Sequence, residues 1–122
     1  MTAERPDAPI EGEALLVAGA KASVAIPRLP ALVNAVQEAL GPRIEEFRRR
    51  YELAYESDET AAFFVEAGFW DDLGDDLDFD RRETDAARRA HAEQLRRVGR
   101  REDREEEFAT ALEIREVAVI GT

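Results

Sequence analysis

The chain has 122 residues, 44% hydrophobic and 37% charged, with a net charge of −11, one histidine and no cysteine. That length suits a single domain, and the apolar fraction can build a core without disulfides or metal. The missing thiols exclude disulfide frameworks, thiolate nucleophiles, thiolate zinc sites and iron–sulfur clusters, and no cofactor or metal is expected.

Sixteen arginines stand beside one lysine, Lys21, with twenty-one alanines. This acidic, lysine-poor balance resembles the cytoplasmic proteins of salt-accumulating halophiles, whose acidic surfaces stay hydrated in concentrated salt. The longest run free of charge, 29–37, is nine residues, far short of the roughly 20 that a spanning helix needs. Glu4, Asp7, Glu11 and Glu13 precede the first apolar segment, the opposite of a basic signal-peptide start. The expected location is cytoplasmic, with no membrane contact.

In chain order, residues 1–9 carry two acids, two prolines and no periodicity, as expected of a flexible leader. The segment 11–26, EGEALLVAGAKASVAI, is apolar on nearly every side and predicts a buried helix, with a strand over 23–26 as the alternative. Pro27 and Pro30 bracket a break, and Pro30 opens a helix striped by Leu29, Leu32, Val33, Val36 and Leu40. Gly41 and Pro42 predict a left-handed cap and a tight turn into a second arm. In that arm Ile44, Phe47, Tyr51 and Ala54 or Tyr55 keep helical spacing. Ser57 or Asp58 then caps a helix over 59–67, which Gly68 closes.

The stretch 60–80 holds five of the nine aromatic residues and no positive charge, with six aspartates between Asp71 and Asp80. Its aromatic half, Phe63 to Trp70, predicts a hub packed on 29–55 and 84–98. From Arg81 the sign reverses. At 100° per residue, Ala87, His91, Gln94, Leu95 and Val98 gather on one side of a helix, and Arg81, Arg82, Arg88, Arg89, Arg96, Arg97 and Arg100 on the other. Asp85 and Glu93 lie within the arginine face, four residues before Arg89 and Arg97. Periodicity lapses over 99–107, where a bend or exposed stretch is expected. The last segment predicts a helix to about Glu116, with 112–120 also fitting a short strand. The fold class expected from these elements is all-α, with about five helices in one domain over 10–122.

Asp76, Asp78 and Asp80 share the first spacings of a calcium loop, but Arg81 and Ala87 stand where glycine and glutamate are required. Solvated acid before a helix N-terminus accounts for them. A helix-turn-helix drawn around Gly68 would present aspartates to phosphates, which rejects it. His91 lies on an apolar face and predicts a packed residue. The candidate binding residues are Arg81, Arg82, Arg88, Arg89, Arg96 and Arg97. Guanidiniums on one face could follow phosphates, but the acidic flanks favour pairing with the protein's own acids, at 71–80 or 102–107, or with another protein. The expected function is a protein-interaction or regulatory module without catalysis, with a nucleic-acid-associated protein as the alternative.

Overall fold

The computed structural model describes residues 9–122, so all of the predicted leader except Pro9 lies outside the described residues. Among the described residues there are six α-helices: α1 Gly12–Ala22, α2 Leu29–Leu40, α3 Ile44–Arg50, α4 Phe69–Asp76, α5 Arg81–Arg101 and α6 Glu105–Leu112. Three strands accompany them: β1 Glu52–Glu56, β2 Thr60–Val65 and β3 Glu116–Gly121. They form one antiparallel sheet in the order β1-β2-β3. The expected all-α class is therefore overturned; the fold is mixed α/β.

Two predicted helices fail, and both fail at the sheet. The arm after Pro42 is helical only to Arg50, and Glu52 to Glu56 pair with β2 through a bulge at Ala54. The predicted helix over 59–67 is β2. Ser57 does not cap a helix: its N–H donates to the Thr60 carbonyl at 2.9 Å and its Oγ accepts the Thr60 N–H, closing the hairpin turn. At the C-terminus the strand alternative holds, β3 pairing with β2 over six residue pairs from Thr60–Gly121 to Val65–Glu116. At the other end, residues 23–26 form no strand. Ser23 ends α1 in the left-handed region, and Ile26 begins a 3₁₀ turn.

Alternate residues of the sheet feed two cores. Ala62, Phe64, Val117 and Val119 face a cluster with Ala14, Ala18, Leu95, Val98 and Phe108. Ala61, Phe63, Val65, Ala118 and Ile120 face Val36, Leu40, Phe47, Phe69, Trp70 and Leu73. Helices thus cover both faces, as strands buried on both sides require. The predicted stripe of α2 is buried as expected: Leu29, Leu32, Val33, Val36 and Leu40 are all in the core. Gly41, expected in the left-handed region, has φ −51° and belongs to a 3₁₀ turn that passes directly into α3.

The aspartate-rich stretch is helical to Asp76. Gly68, at φ 92°, supplies the left-handed turn from β2 into α4. Asp80 then caps α5 with a capping box: its side chain accepts the Glu83 N–H at 2.8 Å, and Glu83 accepts the Asp80 N–H at 2.9 Å. The helix runs on through Gly99 to Arg101, and the expected bend falls at Glu102 and Asp103.

Candidate functional site: a basic groove beside α5

The buried side of α5 is a structural device. β3 is an edge strand, and its outward peptide groups need partners. His91 Nδ1 accepts the Val119 N–H at 2.8 Å. Trp70 Nε1 donates to the Val117 carbonyl at 3.1 Å. The Gln37 amide acts like a peptide of a fourth strand, donating to the Val119 carbonyl and accepting the Gly121 N–H, both at 2.9 Å. With Nδ1 accepting, the ring proton of neutral His91 resides on Nε2, which has no hydrogen-bond partner among the described residues. Burial pushes the His91 pKa down to about 3. The histidine is a packed core residue, its ring 4.7 Å from that of Trp70.

The predicted arginine face divides in three. Arg88 and Arg89 both pair with Asp85. Burial raises the Asp85 pKa, but the two guanidiniums more than offset it and hold the carboxyl below its usual range. Arg96, Arg97 and Arg100 share Glu93 at 3.5 to 3.8 Å. Arg97 also reaches across to Glu13 of α1 at 3.0 Å. Arg81 and Arg82 are exposed at the start of α5 and form no ion pair among the described residues.

The expected internal partners at 71–80 and 102–107 are therefore replaced by Asp85 and Glu93 on the helix itself and by Glu13 of α1. The intrahelical partners follow from i, i+3 and i+4 spacing. The partner on α1 required the packing of α1 along α5. Gln94, read only as part of the inner face, organises that contact: its Oε1 accepts the Glu11 N–H at 2.8 Å and its Nε2 donates to the Glu11 carboxylate at 3.0 Å. The Gln94 bond, against burial and with help from Arg101 and Arg97, keeps the Glu11 carboxyl below its ordinary pKa.

Between α1, α5 and the α6–β3 turn lies a groove of about 310 Å³. Lys21, Arg88, Arg89, Arg96 and Arg115 supply its positive charge; Val17, Ala92, Leu112 and Ile114 supply apolar wall. Ile114 is 84% exposed, the most exposed large apolar side chain among the described residues. Glu116 also lines the groove; burial, outweighing the nearby Arg88, raises its pKa. A second hollow brings Arg81, Arg82 and Arg88 together with Asp71, Asp75 and Asp80. There the acidic and basic segments meet. No group of His, Asp or Glu side chains suited to a metal ion occurs among the described residues, including Asp76, Asp78 and Asp80.

The family model that matches residues 8–122 is described as "Domain of unknown function (DUF8048)". The chain belongs to this family. No curated protein and no solved structure matches it. The match spans every element described above, so the sheet, the capped β3 edge and the groove all fall within the family's domain.

Proposed function

We propose that this family member is a small cytoplasmic interaction or regulatory module without catalysis, working through the groove face. The observation that carries the reading is the meeting of Ile114 and Val17, both exposed, with Lys21 and the arginine side of α5 in one concave surface. Exposed aliphatic side chains beside fixed guanidiniums suit recognition of a partner with apolar and acidic groups. The one histidine is engaged by Val119 and held neutral in the core, which supports a binding role over proton-transfer chemistry. Asp85 and Glu93 interrupt the arginine face, which weighs against a phosphate backbone as its partner.

The test is capture from native extract at the cell's own salt concentration, comparing the wild type with Val17→Asp/Ile114→Asp. Both positions are exposed, so circular dichroism should show the fold retained. A partner captured by the wild type and lost by the variant is the expected result. If both proteins capture the same set, the groove is not the working face. Retention of nucleic acid by the wild type and its loss on replacing Arg88, Arg89 and Arg96 would favour the other reading.

A further inference from the structure

Five basic residues, Lys21, Arg88, Arg89, Arg96 and Arg115, line the groove against three carboxylates, Glu93, Glu113 and Glu116, and Arg115 pairs outside it with Glu52 at 2.6 Å. Asp85 is shared by two arginines, and Glu93 by three, of which only Arg97 has a further carboxylate, Glu13. The nearest carboxylate oxygen of Glu93 is 3.8 Å from Arg96, beyond ordinary hydrogen-bond length. Lys21 sits on the same rim, exposed, with no ion pair among the described residues. Aliphatic side chains, Val17, Ala92, Leu112 and Ile114, line the groove between these charges.

We infer that the groove is a binding site for a small organic anion with an aliphatic body, its carboxylate or phosphate held by Arg96 and Lys21 and its chain laid against Val17 and Ile114. The mixture of basic and aliphatic lining calls for a ligand with both an anionic and an apolar part. Guanidinium donors suit planar carboxylate and tetrahedral phosphate oxygens. The aliphatic wall offers no hydrogen bonds to a sugar or a base. Size narrows the class further: about 310 Å³ is at the small end of ligand pockets, which run from roughly 300 to 1,000 Å³. That volume suits a short amphiphile and is too small for a dinucleotide. Of the three wall carboxylates, Glu93 is shared by three arginines, which leaves Glu113 and Glu116 as the groups that oppose an anion.

The inference rests on the groove's being the working face, and its test is independent of any protein partner. Sodium octanoate and octyl phosphate are titrated calorimetrically into the full chain, with octanol and octylamine as controls, at fixed potassium chloride. Both anions should bind with one-to-one stoichiometry and a dissociation constant below about 1 mM, and the controls should bind at least about tenfold more weakly. Lys21→Gln/Arg96→Gln, both at exposed positions, should weaken the anions by about tenfold or more, and Val17→Asp should abolish binding. Glu116→Gln should leave affinity equal or tighter. Equal binding of octanol would reduce the site to an apolar hollow and overturn the inference. So would multiple weak stoichiometry, affinities unmoved by the variants, or no binding of either anion. If the anions fail while groove-dependent capture of a protein succeeds, the interaction reading survives and this assignment falls; failure of both removes the groove as a functional site.

Discussion

His91 Nδ1 takes the N–H of Val119 at 2.8 Å, twenty-eight residues away in sequence, and this bond fixes the protonation state of the only histidine in the chain. Protonating Nδ1 would set two donors against each other inside the core. The folded protein therefore holds His91 neutral, with a pKa near 3, while the unfolded chain takes up a proton around the ordinary value of 6.5. Because the folded value is depressed, the contribution to stability is complete above about pH 6.5 and is lost as pH falls toward about 3. The loss should approach about 1.4 kcal/mol per pH unit, or about 2 kcal/mol between roughly pH 7.5 and pH 5. Denaturant unfolding across that range should show the slope in the wild type. In His91→Gln, which keeps an acceptor for Val119, the part of the slope due to the histidine should vanish, leaving only that of shifted carboxyls such as Glu11 and Glu116.

Trp70 joins α4 to the same strand edge. Trp70→Ala should cost about 3 to 5 kcal/mol, from lost packing and the cavity left behind. Trp70→Phe keeps most of the packing but leaves the Val117 carbonyl without its donor, so it should cost about 1 to 3 kcal/mol. A cost near zero for Trp70→Phe would mean that the indole N–H contributes nothing.

Which elements can be read from the sequence follows from what each strand buries. The stripe of α2 and the two sides of α5 are periodic at 3.6 residues because each helix has one wet and one dry side. β2 has no such signal. Ala61, Ala62, Phe63, Phe64 and Val65 are all buried, and a run buried on both faces looks the same as a segment of buried helix. β1 is harder still: Tyr51, Ala54 and Tyr55 continue the helical spacing of Phe47, and Leu53 lies exposed at the edge. β3, with Val117, Val119 and Ile120, is the strand richest in the β-branched residues that favour a strand. The arginine face was legible as a helix face. The groove was not, because α1 and the α6–β3 turn reach it through tertiary packing alone.

Gly74 marks the contact between α4 and α5. A Cβ added there would fall 2.2 Å from Thr84 Oγ1 and 2.9 Å from its Cγ2. Helix propensity favours alanine over glycine by about 1 kcal/mol, but overpacking costs about 1 to 3 kcal/mol. Gly74→Ala should therefore be destabilising, and adding Thr84→Ala, which removes both clashing atoms, should recover part of the loss. Simple additivity of the two changes in thermal unfolding would show that the helices do not meet as described.

The acidic surface makes a prediction about salt. Residues 58–80 carry nine acids and no base, and Asp71, Asp72, Asp75 and Asp76 of α4 are all exposed. Their mutual repulsion opposes folding in dilute buffer and is screened when the Debye length falls to about 3 Å near 1 M salt. The unfolding midpoint should rise across increasing potassium chloride. A flat or falling curve would mean that the ion pairs weakened by salt matter more than the repulsion it relieves.

The arginines of α5 should differ among themselves, and the difference separates internal structure from ligand-facing charge. Arg97 is only 20% exposed and bridges α5 to Glu13 of α1, with Glu93 also close. Arg96 is 45% exposed and loosely associated with Glu93. Arg97→Gln breaks a contact between two helices and uncovers part of the aliphatic stem packed between them, so its cost should approach about 1 kcal/mol. Arg96→Gln breaks only a long, solvated pair, and its cost should be close to zero. Glutamine preserves helix propensity in both, so a loss of stability reports the ion pair and stem packing. Replacing Arg88, Arg89, Arg96 and Arg97 together by glutamine should leave a folded protein with reduced stability. If the wild type retards a DNA or RNA probe at molar salt and this fourfold variant does not, the arginine face contacts phosphates. If neither retards the probe while the variant unfolds earlier, the arginines serve the protein's own carboxylates, and of the four only Arg96 is loosely enough held to meet a ligand.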